Sequence, residues 1–464
     1  MKLGSLIGTK HFYKKVFAVM APVLLQNVIT NFVSLLDNIM VGQVGTEPMS
    51  GVAIANQLLF VFNLCIFGAL AGPGIYTSQF YGKGDDEGIR HTMRIKILFA
   101  VGSVVLFGLI YLFAGGTLIN AFLHEGNEGL SLQNTFNYSF NYLHVMMIQM
   151  LPFALMQVYS GTLRETSDRV LPMAASIIAV FINLAGNYIL IFGKFGAPKL
   201  GVIGAAIATV IARFVELFIL VIYTHTRKRK FTFIKGIYRS FRIPGTLFKQ
   251  ILKKGSPLLI NEVLWSAGMA TLNQCYSVRG LEVVSATNIS STICNLFFCA
   301  LFASGSTIAI LTGQRLGAGK IEEAIEENKQ ITFFSVIMCI VVAGLLAIFA
   351  PMLANIYNTT DTVKHLATSF LYVMSVYMPI DAYINCCYFT LRTGGKTFIT
   401  FIFDSGFLWV FYVSLAFILT RFTGLPIVTI YILVNCMGIL KCALGFFMKR
   451  TKSWAVNLVA DDKV

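Results

Sequence analysis

The sequence predicts an all-α protein that threads a membrane twelve times and is built as two six-helix halves. Three observations predict this: a composition too apolar for water, twelve apolar runs of spanning length, and an internal repeat that restarts midway. Of 464 residues, 56% are hydrophobic and only 12% are charged. Soluble domains carry about twice that charged fraction, so a soluble enzyme of ordinary surface is excluded. Disorder is excluded too, because a chain with 40 Phe has ample apolar surface to bury.

The apolar runs fall at 16–41, 52–80, 96–120, 136–160, 170–193 and 201–224. A second set falls at 256–278, 283–312, 331–356, 366–390, 397–420 and 424–448. Inside lipid every backbone N–H and C=O must be satisfied within its own segment, so these runs are expected as helices. They lack the alternation of an outer-membrane strand. Between the two sets, residues 225–255 hold ten Lys and Arg and no acid. The expected organisation is a first lobe at 1–224, a basic cytoplasmic linker at 225–255, a second lobe at 256–448 and a cytoplasmic tail at 449–464.

The net charge is +15, with 36 Lys and Arg against 21 Asp and Glu. In a soluble protein such an excess points to nucleic acid; here its placement points to a membrane. With the N-terminus inside, the inner segments hold 29 of the Lys and Arg and the outer loops hold five. Basic residues gather in cytoplasmic loops, so a multi-pass inner (plasma) membrane protein with both termini in the cytoplasm is expected. Its basic linker would lie near anionic lipid, with no nucleic-acid partner. The nine Cys all lie inside apolar runs, without zinc-ligand spacing, and read as small buried hydrophobes. Residues 392–397 read RTGGKT, but Thr390 stands where a phosphate loop needs its first Gly. Neither HExxH nor GxSxG occurs. No enzyme activity and no cofactor are expected.

An offset of 235 residues aligns the two halves without a gap over the first two helices of each. It pairs Pro22 with Pro257, Gly45 with Gly280, Gln79 with Gln314, Gly82 with Gly317 and Gly84 with Gly319. An offset of 228 then pairs Leu143 with Leu371 and Leu163-Arg164 with Leu391-Arg392. Six spans per half start both halves on the same side, so the repeat is parallel, with its axis along the membrane normal.

A carboxylate in mid-bilayer costs at least about 2.5 kcal/mol, so acids within spans are functional candidates. Five qualify: Asp37, Glu216, Glu262, Asp381 and Asp404. Asp37 closes a polar stripe on helix 1 made by Gln26, Asn27, Thr30, Asn31, Ser34 and Asn38, which must face protein or a wet cavity. Asp37 then either binds a proton or cation, or caps neighbouring helices. Glu216 follows Arg213 by three residues and is expected to pair with it. Asp404 lies near a helix end, where interhelical bonding and function weigh equally. Asn56 and Asn63, and Asn288 and Asn295, keep a polar face on helices 2 and 8. His144 is expected as a bonded core histidine.

The text Asp37-Asn38-Ile39-Met40-Val41-Gly42-Gln43-Val44-Gly45 resembles the D-x-x-M-V-G-x-x-G motif that ends helix 1 in the multidrug and toxic compound extrusion (MATE) transporters. The paired Gln…Gly-x-Gly ends of helices 2 and 8, the Leu-Arg ends of helices 4 and 10, and the six-plus-six layout are similar to that family over nearly the whole chain. The resemblance implies a V-shaped bundle of two lobes around a central cleft. It implies secondary active efflux of small cationic or amphipathic organic compounds, by Na⁺ or H⁺ antiport with alternating access. It implies ion-coupling or substrate-binding roles for Asp37 with Asn183 and Asn187 on helix 5. Asn187 stands where the family often has a second acid, but amides still ligate Na⁺ through oxygen. It implies a second site at Glu262 and Asp381, with Asn385 one turn on, unless those carboxylates are separate structural groups. Close together they would share a proton, since like charges oppose joint ionisation. Where Na⁺ rather than H⁺ is the coupling ion, its expected place is Asp37 or Glu262/Asp381, with Asp404, Asn31, Asn56 and Asn288 as further candidates. Small-molecule cargo and membrane lipid are the expected partners, and the chain is expected to act as a monomer. The alternative is a flippase for lipid-linked oligosaccharide, of the related superfamily fold. Such flippases usually have 14 helices and a cationic cavity, whereas these spans number twelve and carry acids. A membrane-embedded enzyme or receptor is disfavoured, because no nucleophile–base pair can be built from the polar residues.

Overall fold

A computed structural model describes residues 7–123, 131–240, 242–357 and 359–460, except the side chains of Leu35, Asn38, Thr46 and Leu281. The first six long helices are α1 (Lys10–Gly42), α2 (Thr46–Lys83), α3 (Asp86–Asn120), α4 (Leu132–Glu165), α5 (Val170–Phe192) and α6 (Val202–Thr226). The second six are α7 (Gly245–Ser277), α8 (Leu281–Gly317), α9 (Ile321–Asn355), α10 (Asp361–Thr393), α11 (Thr397–Phe422) and α12 (Ile427–Arg450). Ten are long and apolar enough to cross a membrane; α7 and α10, which carry Glu262 and Asp381, fall short in hydropathy.

Helix lengths repeat with the sequence. In the first half they run 33, 38, 35, 34, 23 and 25 residues. In the second they run 33, 37, 35, 33, 26 and 24. At 1.5 Å per residue the first four of each half reach roughly 50–57 Å, well past the hydrocarbon core. They therefore overrun the apolar runs: run 256–278 lies within Gly245–Ser277 but for its last residue, and run 136–160 within Leu132–Glu165. The repeated prolines Pro22 and Pro257 both lie inside their helices. The repeated Gly45 and Gly280 have φ of 144° and 120° at the α1–α2 and α7–α8 turns, where a side chain would be strained.

The described residues form two compact units. One comprises Met1–Leu24, Ser78–Asp85 and Lys249–Val464; the other comprises Leu25–Thr77 and Asp86–Phe248. In the first unit α10 packs against α8, α9 and α12. Here the repeated Gln-x-x-Gly texts meet each other. A methyl group on Gly82 would collide with the Gln314 carbonyl, and one on Gly317 with the Gln79 carbonyl. The reciprocal contact explains why the motif holds glycine in both halves: only bare backbone allows this approach. The tail then packs over it. Trp454 and Val459 are buried, Leu458 N donates to Gln79 Oε1 at 2.7 Å, and Lys83 Nζ donates to Val459 O at 2.9 Å.

In the second unit α4 packs against α3 and α6, and α5 against α6. The basic stretch after α6 is pinned rather than loose. Phe231, Phe233, Ile234 and Ile237 are buried. Arg94 of α3 donates to the carbonyls of Ile237, Gly236 and Arg242 at 2.9, 3.0 and 3.2 Å, while Arg227, Lys228, Arg229 and Lys230 stay exposed. The buried Lys96 pairs with Glu165.

Candidate functional site

The Asp37 cluster lies within the second unit. Three helices supply it: Asp37 from α1, Asn183 and Asn187 from α5, and Thr209 from α6. The two asparagines lie one turn apart, so both amides face the same carboxylate. Asn187 Nδ2 donates to Asp37 Oδ1 at 2.7 Å. With the Asn183 amide turned to suit its neighbours, its nitrogen donates to both Asp37 oxygens at 3.1 and 2.9 Å and its oxygen accepts from Thr209 Oγ1 at 3.0 Å. Asn187 Oδ1 is buried with no partner. Asp37 thus meets neutral groups, and one buried amide oxygen beside it is left unsatisfied. A buried polar atom without a partner is costly. An alkali cation fits this donor set, because carboxylate and amide oxygens are its ligands.

Nearer the start of α1, Gln26 Nε2 donates to Ser176 Oγ of α5 at 2.7 Å, and Ser176 Oγ donates to Glu216 Oε1 of α6 at 2.5 Å. Arg213 Nη1 holds the other Glu216 oxygen at 2.8 Å. The expected Arg213–Glu216 pair is therefore present, and it is tied to α1. Of the remaining stripe, Thr30, Asn31 and Ser34 are exposed and Asn27 is half-buried; the side chain of Asn38 lies outside the described residues. Asn56 and Asn288 are exposed. His144 Nδ1 bonds the Phe140 carbonyl at 2.8 Å, one turn back on α4.

The first unit holds a different cluster. Lys441 of α12 reaches Asp404 of α11 at 3.0 Å, and Asn261 Nδ2 of α7 donates to the other Asp404 oxygen at 3.1 Å. Asn261 Oδ1 accepts from Ser405 N and Oγ at 3.3 and 2.7 Å. The α11 backbone is wound as π-helix over Ile402–Gly406 and Leu408–Val413, a local widening that often marks functional positions. Glu262 is buried and accepts from Tyr388 Oη at 3.4 Å. Tyr388 Oη in turn accepts from Arg392 Nη1 at 3.4 Å.

The structure does not join Glu262 to Asp381. Among the described residues no hydrogen bond or ion pair links them, and Glu262 is grouped with Tyr388. Asp381 is half-buried on α10. The Asn385 Oδ1 one turn on is buried without a partner, beside Gly305 of α8. Among the described residues no three His, Cys, Asp or Glu side chains converge as metal ligands. Thr209, Asn261, Ser405 and Tyr388 are site residues that the sequence reading passes over. Each is an uncharged residue within an apolar run, and only its partner across the bundle gives it a role.

Among the described residues, twelve long helices and an Asp37 carboxylate that faces two amides define an integral membrane protein whose polar chemistry suits the holding of a small cation. The chain belongs to the MatE family, the MATE transporters: the family model matches residues 22–189 and 257–418, each match beginning on a repeated proline. It is 26% identical over 426 residues to a probable multidrug resistance protein NorM of Thermotoga maritima, covering 90% of this chain and 88% of that protein. It is 26% identical over 377 residues to the multidrug resistance protein MdtK of Pectobacterium atrosepticum, covering 80% and 79%. The fold is similar to that of a mutant of the Vibrio cholerae MATE transporter VcmN, with a TM-score of 0.86, 18% identity and coverage of 97% and 98%. It is likewise similar to an outward-facing multidrug resistance MATE family transporter, with a TM-score of 0.84, 20% identity and the same coverage.

Proposed function

We propose that the chain is a secondary active exporter of cationic or amphipathic organic compounds, coupled to Na⁺ or H⁺, and that the coupling ion is held at Asp37 by Asn183, Asn187 and Thr209. The carrying observation is a carboxylate that, among the described residues, no cationic side chain bonds directly. Asp37 accepts from the amides of Asn183 and Asn187, Thr209 bonds the Asn183 amide behind them, and Asn187 Oδ1 beside it is buried without a partner. A Na⁺ at this place would take both oxygens; a proton would neutralise the carboxylate alone. Either changes the charge inside α1, α5 and α6, and an ion shifts a two-state equilibrium by the difference in its affinity for the states. A cationic cargo competing for Asp37 would make export and ion entry mutually exclusive, which is antiport.

The relatives named as multidrug resistance proteins support this cargo class. The distribution of Lys and Arg supports an inner-membrane protein with both termini in the cytoplasm. The chain needs no cofactor beyond its ion, performs no covalent chemistry, and works as a monomer. Glu262, Asp381 and Asn385 remain candidates for contacts with cargo. Dye efflux from proteoliposomes, with a Na⁺ gradient and a pH gradient imposed separately, tests the reading. One gradient should drive efflux in the native chain and fail in Asp37→Asn. Equal efflux without any gradient would overturn it.

A further inference from the structure

A separate pocket stands at the end of the first unit where α9 begins and α12 finishes. It is a cavity of about 670 Å³, within the usual size range of ligand sites. Its two kinds of lining are segregated. Lys329, Lys449, Arg450 and Lys452 supply positive charge, while Phe333, Val336, Tyr383 and Phe446 supply apolar wall. Lys452 has a carboxylate, Glu322, at 3.7 Å. Among the described residues no acid pairs with Lys329, Lys449 or Arg450. Lys449 Nζ donates to Thr332 Oγ1 at 2.5 Å. An ammonium has three donors, so the half-exposed Lys449 keeps two beyond Thr332 for a ligand beside the apolar walls.

We infer that this pocket binds one anionic phospholipid, its phosphate on Lys449, Lys329 and Arg450 and its acyl chains along α9 and α12. By helical period, the same two faces continue away from the basic end into exposed apolar side chains: Ile340 on α9, one turn beyond Val336, and Ile439 on α12, two turns before Phe446. Such a ligand must therefore be anionic at one end and long and apolar at the other. A cationic cargo is repelled by the lysines, and a free phosphate makes no use of the walls. Basic pockets between spanning helices at the cytoplasmic surface are a recognised form of anionic-lipid site. The positive-inside topology puts this end there. Trp454 of the tail also lines the pocket. This site is chemically independent of Asp37.

Native mass spectrometry of the full chain in detergent, titrated with dioleoyl phosphatidylglycerol or dioleoyl phosphatidylcholine, tests the inference. Phosphatidylglycerol should be retained as a single adduct about tenfold more tightly than phosphatidylcholine, given the strength of lysine attraction to anionic lipid. Lys329→Gln with Arg450→Gln, both exposed in the unliganded chain, should remove that preference. Val336→Trp should displace the lipid by filling the cavity while keeping every charge. Melting in lipid-free detergent should be unchanged by the two Gln substitutions. Equal retention of both lipids by the native chain would overturn the inference. So would native-like phosphatidylglycerol binding in the filled and the neutralised variants, or equally tight binding of glycerol phosphate.

Discussion

The two halves carry one polar tie in common and differ in a second polar site. In the first half, Gln26 of α1 bonds Ser176 of α5, which bonds the charged Glu216 of α6. In the second half, Asn261 of α7 bonds Asp404 of α11, which bonds the charged Lys441 of α12. The repeat offset of 235 carries Gln26 onto Asn261, and that of 228 carries Ser176 onto Asp404. The same three helices of each half are thus stitched together; the amide and middle residues match in the repeat, while the offset of 228 carries Arg213, not Glu216, onto Lys441. Asp37 behaves otherwise. The same offsets carry it onto Leu272, Asn187 onto Leu415 and Asn183 onto Phe411. Leu272 belongs to an apolar core cluster of the second half, and Leu415 packs against it. A feature kept in both halves is what a repeated bundle needs to hold together. A carboxylate that replaces a core leucine in only one half weakens packing there, and function is the compensating gain. This contrast supports assigning ion coupling to Asp37 and assembly to Asp404.

The largest effect is expected at the unrepeated site. Asp37→Asn should reduce gradient-driven dye efflux to the level of empty proteoliposomes, with unchanged abundance and melting temperature. The amide is isosteric, and Asn183 and Asn187 already offer neutral partners. Retained efflux would remove the functional half of the contrast.

The repeated tie should fail in stability instead. Lys441→Met leaves the half-buried Asp404 with the Asn261 amide but no counter-charge, which should cost less than the about 3–5 kcal/mol of a fully buried broken pair and appear as a fall in melting temperature in detergent. Adding Asp404→Leu removes the stranded charge and should recover most of the loss. If the double variant melts no higher than the single one, the tie is not an ion pair that assembly depends on.

How far the sequence foretells these sites follows from the range of the signal. The spans are legible because lipid imposes its constraint locally, on every backbone group of a run. The glycine pairs are legible because the repeat prints them twice, and the crossing of Gly82 with Gln314 and Gly317 with Gln79 supplies their reason. Arg213 and Glu216 are legible because they are three residues apart on one helix. Asp404 and Lys441 stand 37 residues apart and Asn261 a further 143 from Asp404. No helical period links such residues, so the sequence leaves Asp404 between interhelical bonding and function and names neither Lys441 nor Asn261 as its partner. The grouping of Glu262 with Asp381 came from resemblance alone; α10 instead presents Tyr388, two turns from Asp381, to Glu262. The π-wound stretch of α11 leaves no mark in composition, since it arises where Ser405 N turns to Asn261.

A third variant tests whether amide or acid at the second α5 position sets the coupling ion. Asn187→Asp places a second carboxylate beside Asp37. Two carboxylates oppose joint ionisation, and a cation bound between them relieves that repulsion. If Na⁺ is the ion, its half-saturating concentration for efflux should fall about tenfold, as expected for about 1.4 kcal/mol of added attraction. If H⁺ is the ion, efflux should persist to higher pH than in the native chain, because the paired acids hold a proton more firmly. A variant indistinguishable from the native chain in both measurements would place the ion elsewhere.

The smallest effect is expected at Thr209, and it separates a site residue from a packing residue. Thr209→Val keeps the shape and removes the hydroxyl that meets Asn183. A single neutral hydrogen bond contributes about 1 kcal/mol, so the apparent ion affinity should fall about fivefold. Maximal efflux should be kept, because Asp37 itself remains. Ser176→Ala is the matched change in the repeated tie: it removes a hydroxyl between α1 and α6 at the same helix. It should lower the melting temperature and leave ion affinity as it is. The opposite assignment, with Ser176→Ala shifting ion affinity and Thr209→Val shifting only melting, would reverse the roles of the two polar sites in this half.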